Sequence, residues 1–365
     1  MKQYKNKVSV AVVGLVFFCL SLASWIHPSK DFSDSERRKL AMLPKLSLTA
    51  ILDGSYMTDF ESFTLDQFPM RDTLRSVKAY TTYYALGQLD NHGIYVKDGY
   101  AAKLEYPLDK ASVTHAVDCF TRIYDQYLAG KNTKLYASVI PDKGYFLAEK
   151  NGYPCMDYEM LFQILKDDMS YAEYIDITDT LEITDYYKTD THWRQEKLIE
   201  TAESLAAGMG TSLTGRYTVN TLDTPFCGVY YGQSALPLRP ETIDYLTNDT
   251  LDGCIVTNYE KGTTGGLYDM EKGAGKDPYE MFLSGPVSLI TIDNPNCSSD
   301  KELIIFRDSF GSSIAPLLAE GYEKITLVDI RYLRSDFLGR FIEFDDQDVL
   351  FLYSTLVLNN SETLN

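Results

Sequence analysis

Positive charge is scarce in this sequence: 34 Lys and Arg face 52 Asp and Glu over 365 residues, a formal net charge of −18. Phosphate binding needs basic patches that neutralise charge and release counterions, so this balance argues against a nucleic-acid partner. No Lys/Arg-rich run and no RNA-binding aromatic signature offsets it. Histidine is rarer still, with four copies, and no two of the six cysteines have the Cys-x-x-Cys spacing of a zinc site. Cys19 lies in an apolar run, which leaves Cys119, Cys155, Cys227, Cys254 and Cys297 as an odd set. The sequence indicates neither a metal nor an organic cofactor. Repeats and low-complexity tracts are absent too. What remains, 45% hydrophobic and 24% charged residues, is ordinary globular composition with enough length for a large core.

One uncharged stretch stands apart. Val8 to Ile26 follows Lys2, Lys5 and Lys7 and approaches the ~20 residues that cross a bilayer as a helix. The lysines predict an N-terminus inside and a body outside, as a single-pass anchor in the cell membrane. A cleaved signal peptide, with Ser21-Leu22-Ala23 as its site, is the alternative. Both export the rest of the chain. The expected division is 1–27 as anchor or signal peptide, 28–75 as a stalk and membrane-proximal helical segment, and 76–365 as the main domain.

Within that domain short apolar runs alternate with amphipathic ones. Strands are predicted over 134–140, 172–177, 302–306, 324–330 and 348–353, and helices over 111–127, 160–169, 193–209, 312–320 and 335–342. Buried strands alternating with helices predict an α/β fold, a parallel sheet between two helical layers. The rhythm breaks at about 211–300, rich in Tyr, Gly, Pro, Asp and Thr, which reads as a β/loop insertion beside or over the site. In such sheets ligands sit beyond the carboxyl ends of the strands, so the loops at Pro141, Thr178, Arg307, Arg331 and Ser354 are the ones to inspect.

Two of these places carry chemistry. Phe306 to Ser313, FRDSFGSS, runs a strand into Asp308-Ser309 and then into small residues that can open a helix. That turn would present the Ser309 hydroxyl beside backbone N–H groups able to hold an oxyanion. Asp190 to Trp193, DTHW, places a carboxylate two residues before an imidazole, on the same side of an extended loop. Each motif alone has a plain structural reading: Ser309 as a helix cap, Asp190 as another cap with His192 on the surface. Taken together they supply a nucleophile, a base and a group that orients the base. Beside them, Trp193, Asp142, Lys143, Arg331 and Tyr332 are candidates for the wall of a substrate cleft.

Asp-x-His-Trp followed far downstream by Asp-Ser-Phe resembles the DHHW family and its relatives, the alginate O-acetyltransferases with an SGNH-hydrolase-like domain. Further matching pieces are Phe32-Ser33-x-x-Glu36-x-Arg38-x-Leu40, Asp66-Gln67-Phe68-Pro69-x-Arg71, Pro141-Asp142-Lys143 and Phe226-x-Gly228-x-Tyr230. Together they span most of the exported chain. The resemblance implies a circularly permuted, flavodoxin-like SGNH-hydrolase fold, because the Asp-His pair precedes the serine. It implies Asp190 as orienter, His192 as base and Ser309 as nucleophile. It also implies acyl transfer, chiefly of acetyl, onto an exported polysaccharide or cell-wall glycopolymer, with a membrane-bound O-acyltransferase as partner. An esterase using the same three residues, and a carbohydrate-binding or assembly protein in which they are silent, are the alternatives. The sequence departs from the pattern at Thr191, in place of the first histidine of the family's name, and at Arg307, in place of the glycine of Gly-Asp-Ser.

Overall fold

The computed structural model describes residues 2–213 and 215–365, the first four of them by backbone alone, so the side chains of Lys2 and Lys5 lie outside what is described. The chain divides into two compact units, residues 1–91 with 231–237, and residues 92–230 with 238–365.

The first unit begins with the helix Lys2–Ile26. Among the described residues it holds the one helix long and apolar enough to cross a membrane, Asn6–Ile26. After it come a two-residue hairpin, Phe32–Ser33 against Arg38–Lys39, and the helices Ser55–Asp66 and Arg71–Tyr80. The two N-terminal motif pieces meet here. Arg71 and Arg75 grip Glu36 at 2.5 and 3.1 Å, and Arg38 pairs with Asp66 at 2.5 Å. The Gln67 side chain bonds both the N–H and the carbonyl of Lys30, at 2.9 and 2.8 Å. Charges spaced ~30 residues apart thus tie a hairpin to two short helices that bury few apolar residues.

The second unit is built on an eight-stranded sheet. In chain order its strands are β1 (Leu135–Ile140), β2 (Glu173–Tyr174), β3 (Ile255–Asn258), β4 (Thr263–Gly265), β5 (Leu289–Asp293), β6 (Glu302–Arg307), β7 (Lys324–Val328) and β8 (Asp348–Ser354). Their spatial order is β4-β3-β5-β7-β6-β8-β1-β2. From β7 to β2 every pair is parallel, while β5, β3 and β4 continue the sheet antiparallel. The expected parallel sheet is present from β7 to β2, and the three antiparallel strands extend it to a mixed sheet. These three antiparallel strands come from the segment that read as an insertion, which thus adds to the sheet itself. They escape a periodicity reading because they are only three to five residues long and are interrupted by Thr.

Alternation along the parallel strands sorts the core into two layers. Leu303, Ile305, Leu350 and Leu352 face one side, against Ala202 and Leu205 of the helix Ile199–Gly208 and Ile314 and Leu317 of the helix Gly311–Leu318. Ile304, Phe306, Val349 and Phe351 face the other, against Val113 and Phe120 of the helix Lys110–Ile123 and Leu161 and Leu165 of the helix Tyr158–Asp168. The last two helices start where an aspartate accepts from the first turn: Asp109 from Ala111 N at 3.0 Å, Asp157 from Met160 N at 2.9 Å. Phe306 and Phe351 stack at 5.0 Å between ring centres. Truncating either to Ala in a core like this costs about 3–5 kcal/mol. That packing holds the ends of β6 and β8, where the site lies, in fixed register.

Two predicted elements shrink. The strand over 172–177 keeps only Glu173–Tyr174, an edge pair opposite Tyr136 and Ala137. The helix over 193–209 begins only at Ile199, because Trp193 and Gln195 turn inward to bond the next layer.

Candidate active site

Strand β6 ends at Arg307, and the chain turns sharply through Asp308-Ser309 before the helix Gly311–Leu318 begins. Asp308 fixes that turn. One carboxylate oxygen accepts from Phe310 N at 3.0 Å, the other from Ser354 N at the end of β8 at 2.8 Å. Ser309 is thereby held at the carboxyl edge of the sheet, where its side chain faces His192.

The Ser309 hydroxyl lies 2.8 Å from His192 Nε2, and His192 Nδ1 lies 2.6 Å from Asp190 Oδ1. The carboxylate is itself held: Oδ1 also accepts from His192 N at 3.1 Å, and Oδ2 accepts from Val229 N at 2.7 Å. With Asp190 on Nδ1, the imidazole keeps Nε2 free to take the serine proton. These three side chains, from loops 117 residues apart in sequence, form one continuous relay. Charge-assisted bonds at such lengths orient the ring strongly.

The Phe226-x-Gly228-x-Tyr230 piece explains itself at this point. Phe226 is buried in a small cluster with Tyr187 and Phe282. Gly228 passes so close to Asp190 that a Cβ there would lie 2.3 Å from the aspartate Cβ. Tyr230 donates to the Thr191 hydroxyl at 3.1 Å, giving the residue that replaces histidine a partner of its own. Glu241 completes the loop by accepting from Lys188 N and Thr189 N, at 2.8 and 2.7 Å.

A cavity of about 170 Å³ opens on His192 and Ser309. Its other walls are Ser312 and residues of the Tyr/Gly/Pro-rich segment, among them Tyr279, Phe282 and Pro286. Tyr279 lies flat on the imidazole, ring centres 4.0 Å apart and planes 9° apart. Phe310 packs on the same ring at 4.9 Å. Burial holds the Tyr279 phenol well above its usual range, so it stays protonated.

None of the five cleft-wall candidates lines this cavity. Trp193 is wholly buried, its indole N–H donating to the Ser313 hydroxyl at 2.8 Å and to the Phe310 carbonyl at 3.1 Å. It therefore braces the helix start after Ser309 instead of facing a ligand. Asp142 caps the turn after β1, accepting from Gly144 N at 2.5 Å and from the Thr355 hydroxyl at 2.8 Å, and burial pushes its carboxyl up to about 6. Lys143 is buried under Tyr230, donating to the Tyr187 carbonyl at 2.9 Å. Burial pulls it down to about 7, while Asp190 and Glu241 pull the other way. Arg331 forks onto Asp329 at 2.9 and 2.6 Å, and Tyr332 beside it is exposed.

Arg307 is fully buried. Its Nη1 donates to the Asp308 carbonyl at 3.2 Å and lies 4.0 Å from Asp329, while Nε and Nη2 meet no acceptor among the described residues. Its stem runs under Gly311, where a Cβ would come within 2.8 Å of the arginine Cβ. The residue that replaces the family glycine thus points into the protein, away from the Ser309 hydroxyl.

Tyr279, Phe282 and Pro286 escaped the sequence reading. Nothing marks Tyr279 among 28 tyrosines, since its role comes from the fold of a segment without periodicity.

The mixed sheet, with helices packed on both faces, defines an α/β protein. Comparison with family models and with curated proteins gives no match. Among solved structures the chain is similar to a DHHW family protein from Eubacterium siraeum, with TM-score 0.60 and 20% identity over 75% of this chain and 95% of that one. It is similar also to Bacillus cereus PatB1 solved with a sulfonyl adduct, with TM-score 0.55 and 17% identity over 73% of this chain and 95% of that one. A second structure of PatB1 gives TM-score 0.53 and 18% identity, over 73% and 96%. At these identities the likeness is one of fold.

Proposed function

We propose that this protein is an extracytoplasmic O-acyltransferase that moves a short acyl group, chiefly acetyl, through Ser309 onto an exported polysaccharide or cell-wall glycopolymer. The observation that carries the reading is the unbroken relay Asp190–His192–Ser309 at the mouth of a small cavity. His192 takes the hydroxyl proton as Ser309 Oγ attacks the acyl carbonyl of the donor. Backbone N–H groups at Ser309 and a neighbouring loop stabilise the oxyanion, and the leaving group departs with the proton from His192. A sugar hydroxyl, deprotonated by His192, then attacks the acyl-serine, and the serine recovers its proton. The cavity of about 170 Å³, walled by Tyr279, Phe282 and Pro286, supports a small acyl group. The motif resemblance to alginate O-acetyltransferases supports transfer to sugar over release to water.

The helix Asn6–Ile26 supports a single-pass anchor and the lysines before it an N-terminus inside; on this reading 28–75 is the stalk and 76–365 the exported catalytic domain. In that setting a membrane-bound O-acyltransferase delivers acyl groups to Ser309. The test is to incubate the full chain, in detergent, with an activated acetyl ester and oligosaccharides of cell-envelope type. Acetylated sugar formed by the wild type and lost in Ser309→Ala supports transfer. Free acetate alone, lost in the same variant, replaces transfer by the esterase. Turnover that survives Ser309→Ala overturns both.

A further inference from the structure

We infer that Tyr279 is a positioning residue for this reaction, which stabilises the charged form of His192 by stacking on its face and holds the ring in its working orientation. The inference rests on the reading of Ser309 as nucleophile and His192 as base. It starts from the flat stack of Tyr279 on the imidazole, 4.0 Å between centres and 9° between planes. A phenol ring carries its negative quadrupole on its face, so it favours a cation laid against it, and more so where water is excluded. Tyr279 is only 5% exposed. Before the Ser309 proton moves, the stack is ordinary ring packing. Once the Ser309 proton has moved to Nε2, the ring is a cation between the Asp190 carboxylate at its edge and the phenol on its face. The stack is therefore stronger in the transition state than in the ground state, the condition for raising kcat.

The phenol is itself anchored. Its hydroxyl donates to Ser313 Oγ at 2.9 Å, and that oxygen also accepts from the Trp193 indole at 2.8 Å and donates to the Phe310 carbonyl at 3.3 Å. The three bonds fill the hydroxyl's capacity. They also join the segment around Tyr279 to the residue after His192 and to the helix after Ser309. A function follows for the aromatic, non-periodic stretch: it covers the base and tunes it. It also gives Trp193 and Ser313 a role without contact to substrate.

The other titratable groups near His192 are Asp190 at Nδ1, Asp277 and Glu280 on the cavity wall, and Asp308 and Lys143 farther back. They are identical in wild type, Tyr279→Phe and Tyr279→Leu, so differences among the three report the ring at position 279.

The experiment measures hydrolysis of p-nitrophenyl acetate by the full chain in detergent, as kcat and KM across pH, with Ser309→Ala as the reference for dependence on the serine. Tyr279→Phe keeps the face and loses one hydrogen bond, so kcat stays within about threefold. Tyr279→Leu loses the face, so kcat falls by about tenfold or more, a larger change than in KM. An imidazolium stripped of its stack releases its proton more readily. The acidic limb of the pH–rate profile in Tyr279→Leu therefore moves down by about 0.5–1 pH unit, while that of Tyr279→Phe stays in place. Ser309-dependent turnover with the same acidic limb in all three proteins overturns this inference and leaves the proposed function standing. Should Tyr279→Leu unfold, Tyr279→Met takes its place as the variant without an aromatic face: the same fall in kcat and downward move of the limb are expected, and an unmoved limb overturns the inference. Turnover independent of Ser309 overturns the proposed function itself.

Discussion

Gly228→Ala tests the relay without touching any of its three members. A Cβ at this position would lie 2.3 Å from the Asp190 Cβ and 2.4 Å from the Asp190 N and Cα. Carbon atoms in contact sit ~3.5–4.0 Å apart, so the two segments must separate by more than ~1 Å. The obstacle is backbone and cannot rotate away. The separation breaks two bonds that hold the loop, Val229 N to Asp190 Oδ2 at 2.7 Å and Gly228 N to Thr189 Oγ1 at 3.0 Å. The carboxylate then loses its aim at His192. Overpacking of this kind costs about 1–3 kcal/mol, roughly 2–4 °C in Tm for each kcal/mol in a domain of this size. Displacing a catalytic group by ~1 Å costs about a hundredfold in rate. The expected outcome is a kcat for Ser309-dependent ester hydrolysis reduced at least about a hundredfold, with Tm lower by no more than roughly 10 °C. Gly266→Ala is the control, because a Cβ there has nothing within 4 Å, and its kcat should not change. A Gly228→Ala enzyme with kcat within about threefold of wild type and unchanged Tm would refute the argument that this glycine exists for Asp190.

The buried Arg307 and the half-buried Arg331 behind the site predict opposite effects on stability. Arg307→Met removes a guanidinium with two unmet nitrogens and leaves Asp329 its fork from Arg331, so Tm should hold or rise, by the equivalent of about 1–4 kcal/mol. Arg331→Met removes the guanidinium fork and leaves Asp329 the backbone N–H of residue 331 at 3.1 Å and Arg307 at 4.0 Å, which should cost about 3–5 kcal/mol; thermal melts with the reverse ranking contradict this reading. Lys143, held down to about 7 from 10.5, binds fewer protons folded than unfolded between those values, so its contribution to stability grows as pH rises from 7 toward 10.5. Asp142, held up to about 6 from 3.8, binds more protons folded, so its contribution shrinks as pH rises from about 4 to 6. Urea midpoints at pH 7 and 9 should therefore rise less in Lys143→Met than in wild type, by on the order of 1 kcal/mol per pH unit; equal rises contradict it.

The parts of the fold that could be read from the sequence are those where burial writes a pattern. The runs ending at Ile140, Phe306 and Tyr353 are apolar because the central parallel strands are covered on both faces, and they led directly to the turn that carries Ser309. The edge was not legible. Strands β3, β4 and β5 are three to five residues long and broken by Thr, and they are held by pairing in series, β4 on β3, β3 on β5 and β5 on β7, the last two of these contacts being between distant parts of the chain. The false start of the helix at Trp193 has a related cause. Its residues have helical spacing, yet the indole and Gln195 bond Phe310 and Ser313, and those bonds outweigh propensity until Ile199. At the site, residue types pointed to the three side chains that meet: a scarce histidine beside an aspartate, and a serine after a strand. What types could not tell was neighbourhood. Arg331, Asp142 and Lys143 sit on strand-end loops as the topology requires, but their side chains turn to Asp329, Thr355 and Tyr187 instead of the cavity. Tyr279 faces the cavity from a segment with no readable period.

The most direct measurement is covalent. The full chain is treated with phenylmethylsulfonyl fluoride, and the labelled residue is found by intact mass and peptide mapping. A nucleophile activated by the Asp190–His192 pair predicts one sulfonyl group, on Ser309, absent in Ser309→Ala and formed far more slowly in His192→Ala. A wild-type chain that takes no label, or takes it on another residue, or labels Ser309 equally fast without His192, would contradict the account.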